Sequence, residues 1–190
     1  MFEAEETTGP FASLHRIGGN LALDFANTRT WRGTPREIDH FADAGRILHW
    51  AREAGLVDAA FSVRPGAAED FTAGVRRLRD AIDSACAAIA SGGPPGPDAL
   101  STIRDAATRT MASADLAGAP LQLSFKGADH ILGPVAWAAI DLLRGGELDR
   151  LKQCPADDCH WLFLDRSKNG SRRWCEMSTC GDRAKKRRGT

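Results

Sequence analysis

Four cysteines near the C-terminus constrain this 190-residue chain more than any other feature. They follow the spacing C-x4-C, fifteen residues, C-x4-C, which is the grouping of a tetrahedral zinc site. Two thiolates from each pair can meet one Zn2+ at roughly 2.3 Å per Zn–S bond, and a closed four-thiolate shell leaves no position for water or substrate. The sequence therefore predicts a structural zinc site. Its ligands are Cys154, Cys159, Cys175 and Cys180.

Two disulfides are the alternative interpretation of the same cysteines. The chain begins Met-Phe-Glu-Ala-Glu-Glu, which is acidic and has neither the basic nor the apolar stretch of a secretion signal. No apolar run approaches the roughly 20 residues that a membrane-spanning helix needs. We therefore expect a cytoplasmic protein without a membrane partner, and in that compartment a cysteine cluster favours metal over disulfides.

The net charge of zero conceals a strong asymmetry along the chain. Residues 150–190 hold eleven Lys and Arg against five Asp and Glu, a net charge of +6, while residues 1–149 hold fourteen against twenty, a net charge of −6. A basic tail on an acidic body is typical of a module that binds a polyanion, with the body not expected to touch it.

The first 149 residues predict a mainly helical α+β domain with a few short strands. Apolar residues recur at helical spacing over 70–90, and the proline- and glycine-rich segment 91–97 ends that helix. A second helix is predicted to begin at an Asp98 N-cap and to stop near Gly118. Residues 121–125 alternate as a strand does.

Three further segments of this domain carry local signals. Residues 47–54 suit a helix that ends at Gly55, and residues 134–144 suit a helix that begins at its proline. Residues 34–37 have the spacing of a capping box, so a helix can begin there, although the alternation over 38–41 leaves a strand open.

The cysteine-rich end predicts a small module of about 40 residues. A strand over 161–165, a turn at 169–170 and a return strand over 172–174 predict a hairpin between the two cysteine pairs. Residues 182–188 can form a short basic helix or a disordered arm. This order is compatible with a treble-clef-like arrangement. Three aromatic side chains are expected to form its small core rather than stack on bases: Trp161, Phe163 and Trp174.

A dense set of residues within the segment 154–183 carries a resemblance to a known family. They are Cys154, Pro155, Cys159, Trp161, Phe163, Asp165, Asn169, Gly170, Ser171, Arg172, Arg173, Trp174, Cys175, Met177, Cys180, Gly181, Asp182 and Arg183. This pattern resembles the CGNR zinc finger, named for its last motif, which usually follows an ABATE domain. The runs 21–28 and 48–56 are similar to that N-terminal domain.

The resemblance implies a bacterial, cytoplasmic, stress-responsive transcriptional regulator whose finger binds DNA. It also implies two domains, an ABATE-like domain over 1–149 that senses or dimerises and a CGNR-type finger with a basic tail over 150–190. Asp182 stands where the naming motif has Asn. Because an ionised Asp only accepts hydrogen bonds, it brings a negative charge to the expected contact surface, where it can pair with Arg183 or cap the last helix.

Basic residues of the module are expected to neutralise phosphates and give salt-sensitive binding. They are Arg166, Lys168, Arg172, Arg173, Arg183, Lys185, Lys186, Arg187 and Arg188. Guanine edges suit two pairs among them, Arg172 with Arg173 and Arg183 with Lys185, and the sequence does not choose between these pairs.

One polar cluster beside aromatic residues in the body suggests a ligand pocket. Its members are Asp24, Asn27, Arg29 and Trp31. The alternative is that Asp24, Asn27 and Thr28 satisfy turns and a helix end.

Other reactive side chains give no catalytic pattern. Cys86 lies near the apolar face of the 70–90 helix and is expected to be a small buried hydrophobe, and His160 could replace a cysteine only if the metal site rearranged. The remaining histidines, His15 among them, show no metal spacing, and no nucleophile motif accompanies them. We therefore do not expect an enzyme.

Three hypotheses of function follow from these patterns. The first is a zinc-dependent DNA-binding regulator, and the second is an RNA-binding module that uses the same charges. The third is a small-molecule-binding or enzymatic body with a structural zinc appendage. A homodimer and a small-molecule effector are both compatible with the sequence, which names neither the target nor the effector.

Overall fold

The computed structural model describes Leu14, residues 16–120 and residues 122–188, with Pro65 and Arg188 described by their backbone only. Its helices are α1 Leu21–Ala26, α2 Ala44–Glu53, α3 Ala68–Ala90, α4 Pro97–Ala112, α5 Asp129–Arg144 and α6 Asp182–Arg188. Its strands are β1 Arg29–Thr30, β2 Ile38–Asp39, β3 Asp115–Ala117, β4 Gln122–Ser124, β5 Leu151–Gln153 and β6 Leu162–Leu164. The strands pair as three antiparallel ribbons, β1 with β2, β3 with β4 and β5 with β6.

Helix α3 is the centre of the fold and packs against α1, α2, α4 and α5. Its apolar face buries Phe71, Val75, Leu78 and Ile82, because residues three and four apart lie on one side of a helix. None of the described helices is both long and apolar enough to cross a bilayer.

An aromatic cluster joins α1 and α2 to the loop between them. Phe25, Phe41 and Trp50 have ring centroids 5.1 to 5.5 Å apart and are inclined to one another as aromatic pairs prefer. Beside it, Arg79 of α3 is 2% exposed and donates through both terminal nitrogens to Asp39 of β2. This ion pair holds the 29–41 segment against α3.

The long helix and its neighbours confirm several of the predicted elements. Helix α3 covers the predicted 70–90 segment, and α2 covers most of 47–54, after which Gly55 turns the chain with a φ of 71°. Strand β4 lies within the predicted 121–125, although Leu121 is outside the described residues.

Three predicted helix ends are wrong. Helix α4 begins two residues earlier than predicted, with Gly96 rather than Asp98 as N-cap and Pro97 at the first helical position, and it ends at Ala112 rather than near Gly118. Helix α5 begins at Asp129, so Pro134 lies inside it. Gly133, which precedes the proline, has no Cβ to collide with the proline ring. The Phe125 ring packs against this glycine so closely that a Cβ built on it would lie 2.5 Å from the nearest ring carbons.

The capping-box pattern at 34–37 closes a turn instead of starting a helix. The Thr34 hydroxyl donates to the Trp31 carbonyl, and the Glu37 carboxylate accepts from the Gly33 N–H. The chain then enters β2, so the strand alternative for this region is confirmed.

The predicted hairpin of the cysteine-rich module has the wrong partner. Strand β6 pairs with β5, with Leu151 opposite Leu164, so the first cysteine pair lies in the loop of this hairpin. Residues 172–174 are irregular because they wrap around the buried Asp165 carboxylate, which accepts from the backbone N–H groups of Ser167 and Arg172 and from Lys152 Nζ. The predicted turn at 169–170 is present, with a φ of 59° at Gly170.

The module is built onto the body rather than tethered to it. Leu151, Leu162 and Leu164 belong to the same buried cluster as the helices, and β5 and β6 both pack against α3. A second, smaller cluster contains the four cysteines with Trp161 and Phe163, against which Trp174 packs, as the sequence predicted. The module therefore has its own small core and also completes the larger one.

Candidate metal centre and basic surface

The four predicted ligands converge on one buried point. One ligand atom from each of Cys154, Cys159, Cys175 and Cys180 lies within 4.8 Å of the others, and each residue is 1 to 2% exposed. The Cys175 sulfur is 3.5 Å from the sulfurs of both Cys159 and Cys180. Zn–S bonds of about 2.3 Å in a tetrahedron place sulfurs about 3.8 Å apart, so the cluster fits one zinc ion.

The disulfide alternative does not fit this arrangement. A disulfide holds its sulfurs about 2.05 Å apart, whereas all four sulfurs are free here. Hydrogen bonding between Cys154 and Cys159 is the main cause that lowers the pKa of Cys154 and raises the pKa of Cys159. Thiols this close share protons unless a cation balances their charge, which is what a zinc ion supplies.

The two cysteine pairs reach the site from different kinds of structure. Cys154 follows β5, and its N–H donates to the Trp161 carbonyl, while the Cys159 N–H donates to the Ala156 carbonyl to close a tight knuckle. Cys175 precedes a π-helical turn, Met177–Gly181, which contains Cys180 and runs directly into α6. A knuckle followed by a ligand at the start of a helix matches part of the treble-clef-like order expected from the sequence, but the hairpin expected between the two cysteine pairs is not formed.

Arg183 supports the metal centre from its edge. Its guanidinium donates to the Cys180 sulfur at 3.2 Å and makes a bidentate pair with Asp158 at 2.9 and 3.0 Å. It also lies 4.7 Å from the centre of the Trp31 ring. A zinc ion with four thiolates carries a net charge of −2, which this cation partly offsets. Asp182 pairs at 3.5 Å with Lys185 rather than with Arg183.

Arg172 is also directed into the protein. Its guanidinium lies 4.3 Å from the centre of the Phe163 ring and donates to the carbonyls of Trp174, Cys175 and Ile17. These contacts tie the second cysteine pair to the chain just before α1. The guanidinium groups of Arg172 and Arg183, two of the candidates for reading a guanine edge, are therefore already hydrogen bonded within the protein.

The other predicted nucleic-acid contacts lie nearer the surface. Arg166 makes a bidentate pair with Glu147 at 2.9 and 3.1 Å, and Arg187 lies 3.7 Å from Asp157. Exposed basic side chains are found at Lys168, Arg173, Lys185 and Lys186. The side chain of Arg188, like His15, lies outside the described part of the chain.

The predicted pocket residues join the body to the module. Asn27 is buried and exchanges two hydrogen bonds of 2.8 Å with the Leu162 backbone. Arg29 pairs with Asp80 and Asp83 of α3, and its carbonyl accepts from the Trp161 indole.

Asp24 and Trp31 occupy the two ends of this junction. The Asp24 carboxylate accepts from the Gly18 N–H at 2.8 Å, and burial raises its pKa to about 6. Trp31 adopts a left-handed φ of 56°, which is uncommon for a bulky residue. The guanidinium of Arg36 lies 3.9 Å from its ring centre, so the ring that Arg183 of the module approaches is also contacted by an exposed body arginine, which no local sequence signal indicated.

The remaining candidates behave as the sequence predicted or play minor roles. Cys86 is buried, and burial raises the pKa of its thiol to about 12. His160 has a φ of 58° and its ring nitrogen hydrogen bonds with the Asp157 carbonyl, outside the four-sulfur cluster.

A four-cysteine metal centre built onto a helical body defines the class, a zinc-finger protein with a structural zinc ion. The chain belongs to the ABATE family, whose model, described as "Putative stress-induced transcription regulator", matches residues 19–146. The CGNR zinc finger model matches residues 150–189, which confirms the resemblance given by the sequence. Neither is a family of enzymes. No curated protein matches the chain.

Proposed function

We propose that the protein is a zinc-dependent transcriptional regulator that binds DNA through its finger. The observation that carries the proposal is the division of basic residues along α6. Arg183 and Arg187, four residues apart, face the acidic pair Asp157 and Asp158. Lys185 and Lys186 are exposed on the rest of the helix, so α6 is anchored on one side and offers cations on the other.

The metal centre sets the position of this helix. Cys180 lies in the turn that runs into α6, and Arg183 on its first turn donates to the same sulfur. We expect the exposed lysines to neutralise phosphates. Arg173 is the better candidate for a base contact, because it is exposed and lies 5.2 Å from the Trp174 ring centre, whereas the guanidinium groups of Arg172 and Arg183 hydrogen bond within the protein.

The body borders the proposed contact surface and orients it. Arg36 and Arg183 both lie against the Trp31 ring, so a body cation stands next to the finger helix. We propose that residues 1–149 sense or dimerise and that residues 150–190 contact DNA, in a bacterial cytoplasmic stress response. Because β5 and β6 share the core of the helices, the direction of the finger depends on the state of the body.

Replacing Lys185 and Lys186 together by Gln is expected to weaken DNA binding at every sequence alike. Each lost phosphate contact lowers the magnitude of the slope of log K against log salt by roughly 0.9. We therefore expect the slope of the double variant to be smaller in magnitude by roughly 1.8. Fluorescence anisotropy over a salt series measures this slope. Lys126→Gln is the matched control, since that lysine is equally exposed on the body. An unchanged slope in the double variant would place the DNA contact elsewhere.

Asp182→Asn is expected to tighten DNA binding. The Asp182 carboxylate lies 3.5 Å from Lys185 Nζ, and its removal frees that cation and takes a negative charge from the surface. We expect a roughly two- to fivefold gain in affinity for DNA, which is the size of the effect of an exposed ion pair. Asp141→Asn, an exposed carboxylate on α5, is the control. Weaker binding by Asp182→Asn would show that this carboxylate supports the bound state.

Target selection is tested by incubating the zinc-loaded protein with sheared genomic DNA and sequencing what it retains. Discrete sites that disappear with Lys185→Gln/Lys186→Gln would support a sequence-specific regulator. Uniform, salt-labile recovery would contradict sequence-specific regulation. A parallel arm with single-stranded RNA separates the alternatives, since tighter binding to RNA than to duplex DNA would favour the RNA-binding hypothesis.

A further inference from the structure

A cleft on the side of the body opens between α3, α4, the start of α5 and the segment that precedes α3. Its volume is about 430 Å³, within the range of small-molecule sites. Phe61, Phe71 and Leu132 supply apolar walls. The lining residues all belong to the body and include none of the zinc ligands and none of the basic residues of the finger.

Arginines from three different elements line the same cleft. Arg64 precedes the short turn Pro65–Ala67, Arg77 lies on α3 and Arg109 on α4. All three are exposed, and none forms an ion pair within the described part of the chain. By contrast, Arg76 and Arg79, the neighbours of Arg77, bind the 39–42 segment through hydrogen bonds.

Two carboxylates also line the cleft, and they leave an excess of positive charge. Asp129 accepts a hydrogen bond from the Ser113 hydroxyl at 3.1 Å, and Asp70 lies on the first turn of α3. Three guanidinium groups against two carboxylates give the lining a net charge of +1, in a body whose net charge is −6. The cleft lining is therefore locally basic on an otherwise acidic domain.

Gly74 lies in the wall of the cleft. It lies in the interior of α3, where glycine is less favourable than alanine. A Cβ built on it meets no atom within 4 Å, and its φ is not left-handed. Neither packing nor backbone conformation requires glycine there, and a large side chain at this position would take up part of the cleft.

We propose that this cleft binds a small organic anion with an apolar body, the apolar part lying against the Phe61, Phe71 and Leu132 side chains and the acidic group meeting the arginines. Amphipathic carboxylates and phosphate esters both have this combination of an apolar body and an acidic group. This site does not depend on the proposed nucleic-acid function, because binding can be measured without DNA.

The test uses two fluorescent probes that differ by one acidic group. Anilinonaphthalene sulfonate carries the anion and N-phenylnaphthylamine is its uncharged counterpart. The full-length, zinc-loaded protein is titrated with each probe. We expect saturable binding of one sulfonate probe per chain, at least about fivefold tighter than the neutral probe. Equal affinities of the two probes would overturn the role of the arginines.

Substitutions of the lining arginines test whether the probe binds in this cleft. Arg77→Gln and Arg109→Gln are each expected to weaken binding of the sulfonate roughly fivefold and to leave the neutral probe unchanged, since an exposed charge contact accounts for about that factor. Arg144→Gln, an exposed arginine at the end of α5, is the matched control. Unchanged sulfonate affinity in both cleft variants would overturn the proposal.

Gly74 gives a second, independent comparison. Gly74→Ala is expected to raise the melting temperature and to keep the site, whereas Gly74→Phe fills the cleft and should abolish binding of both probes. If Gly74→Phe does not fold, the arginine variants still decide the question. Full binding by a folded Gly74→Phe protein would place the probe outside this cleft.

Discussion

Replacing Cys175 by serine is expected to release the zinc and to unfold the whole finger. The Cys175 sulfur lies 3.5 Å from a sulfur of each cysteine pair, those of Cys159 and Cys180, so its loss removes one of the four zinc ligands where the two pairs meet. A hydroxyl is a poor substitute for a thiolate towards zinc. Because metal binding and folding are coupled in small zinc modules, lost metal affinity becomes lost stability.

The same substitution is expected to weaken the body. Leu151, Leu162 and Leu164 of the finger hairpin lie in the main core, and an unfolded finger would leave that side of α3 without its cover. The expected loss is comparable with the stability of a whole domain, about 5–15 kcal/mol. Zinc content by mass spectrometry and thermal unfolding by circular dichroism measure the two effects.

Cys86→Ala is the matched control for this experiment. Cys86 is equally buried but lies in α3, outside the four-sulfur cluster. It should keep one zinc ion per chain and lose only the small packing contribution of its side chain. A Cys175→Ser protein that still held one zinc ion per chain with a native melting temperature would contradict the structural role of the centre.

The metal centre and the main helices could be predicted from the sequence because their signals are local. The cysteine spacing alone identifies the ligands, since few folds bring C-x4-C pairs together without a metal. Helix α3 was predictable because twenty residues of helical periodicity outweigh any short-range ambiguity.

The pairing of β6 could not be predicted in the same way. Strands β5 and β6 have three residues each, too few for alternation to select a partner. The choice depends on Asp165, whose carboxylate holds the 167–172 loop away from a strand conformation. A single aspartate gives no such indication in a sequence.

The basic surface illustrates the same limit. Charge alone marked nine residues as contacts, but a sequence does not reveal which cations are already engaged. Arg172 binds three carbonyls and Arg183 binds Asp158 and a cysteine sulfur. Arg173 and Lys185 also have neighbours, the Trp174 ring and Asp182, but their side chains are exposed, so they stay the better candidates for base recognition. Arg36, which no sequence pattern marked, lies against the same Trp31 ring as Arg183 of α6.

Asn27→Ala is expected to loosen the junction between body and finger, with a loss of about 3 kcal/mol or more in the free energy of unfolding. The Asn27 amide donates to the Leu162 carbonyl and accepts from the Leu162 N–H, both at 2.8 Å. Alanine leaves both backbone groups buried without these partners, and each unsatisfied buried group costs about 1–3 kcal/mol. Denaturant unfolding measures the loss.

The rate at which a chelator removes zinc distinguishes a loss of stability confined to the mutated site from a finger that is held less firmly on the body. If Asn27 holds the hairpin in place, a chelator should remove zinc faster from Asn27→Ala than from the unmodified protein, although no ligand has changed. Asn20→Ala is the matched control, because Asn20 only caps α1 by accepting from the Ala22 N–H. It should cost about 1 kcal/mol and leave the rate of zinc loss unchanged.

Asn27→Asp distinguishes hydrogen bonding from side-chain size. Aspartate has nearly the same shape and can still accept from the Leu162 N–H, but its second oxygen would face the Leu162 carbonyl that the Asn27 amide now serves. Two acceptors in contact at a fully buried position repel, so Asp should be at least as destabilising as Ala. If Asp were tolerated, the junction would depend on packing of the α1 end against β6, and the paired hydrogen bonds would be dispensable.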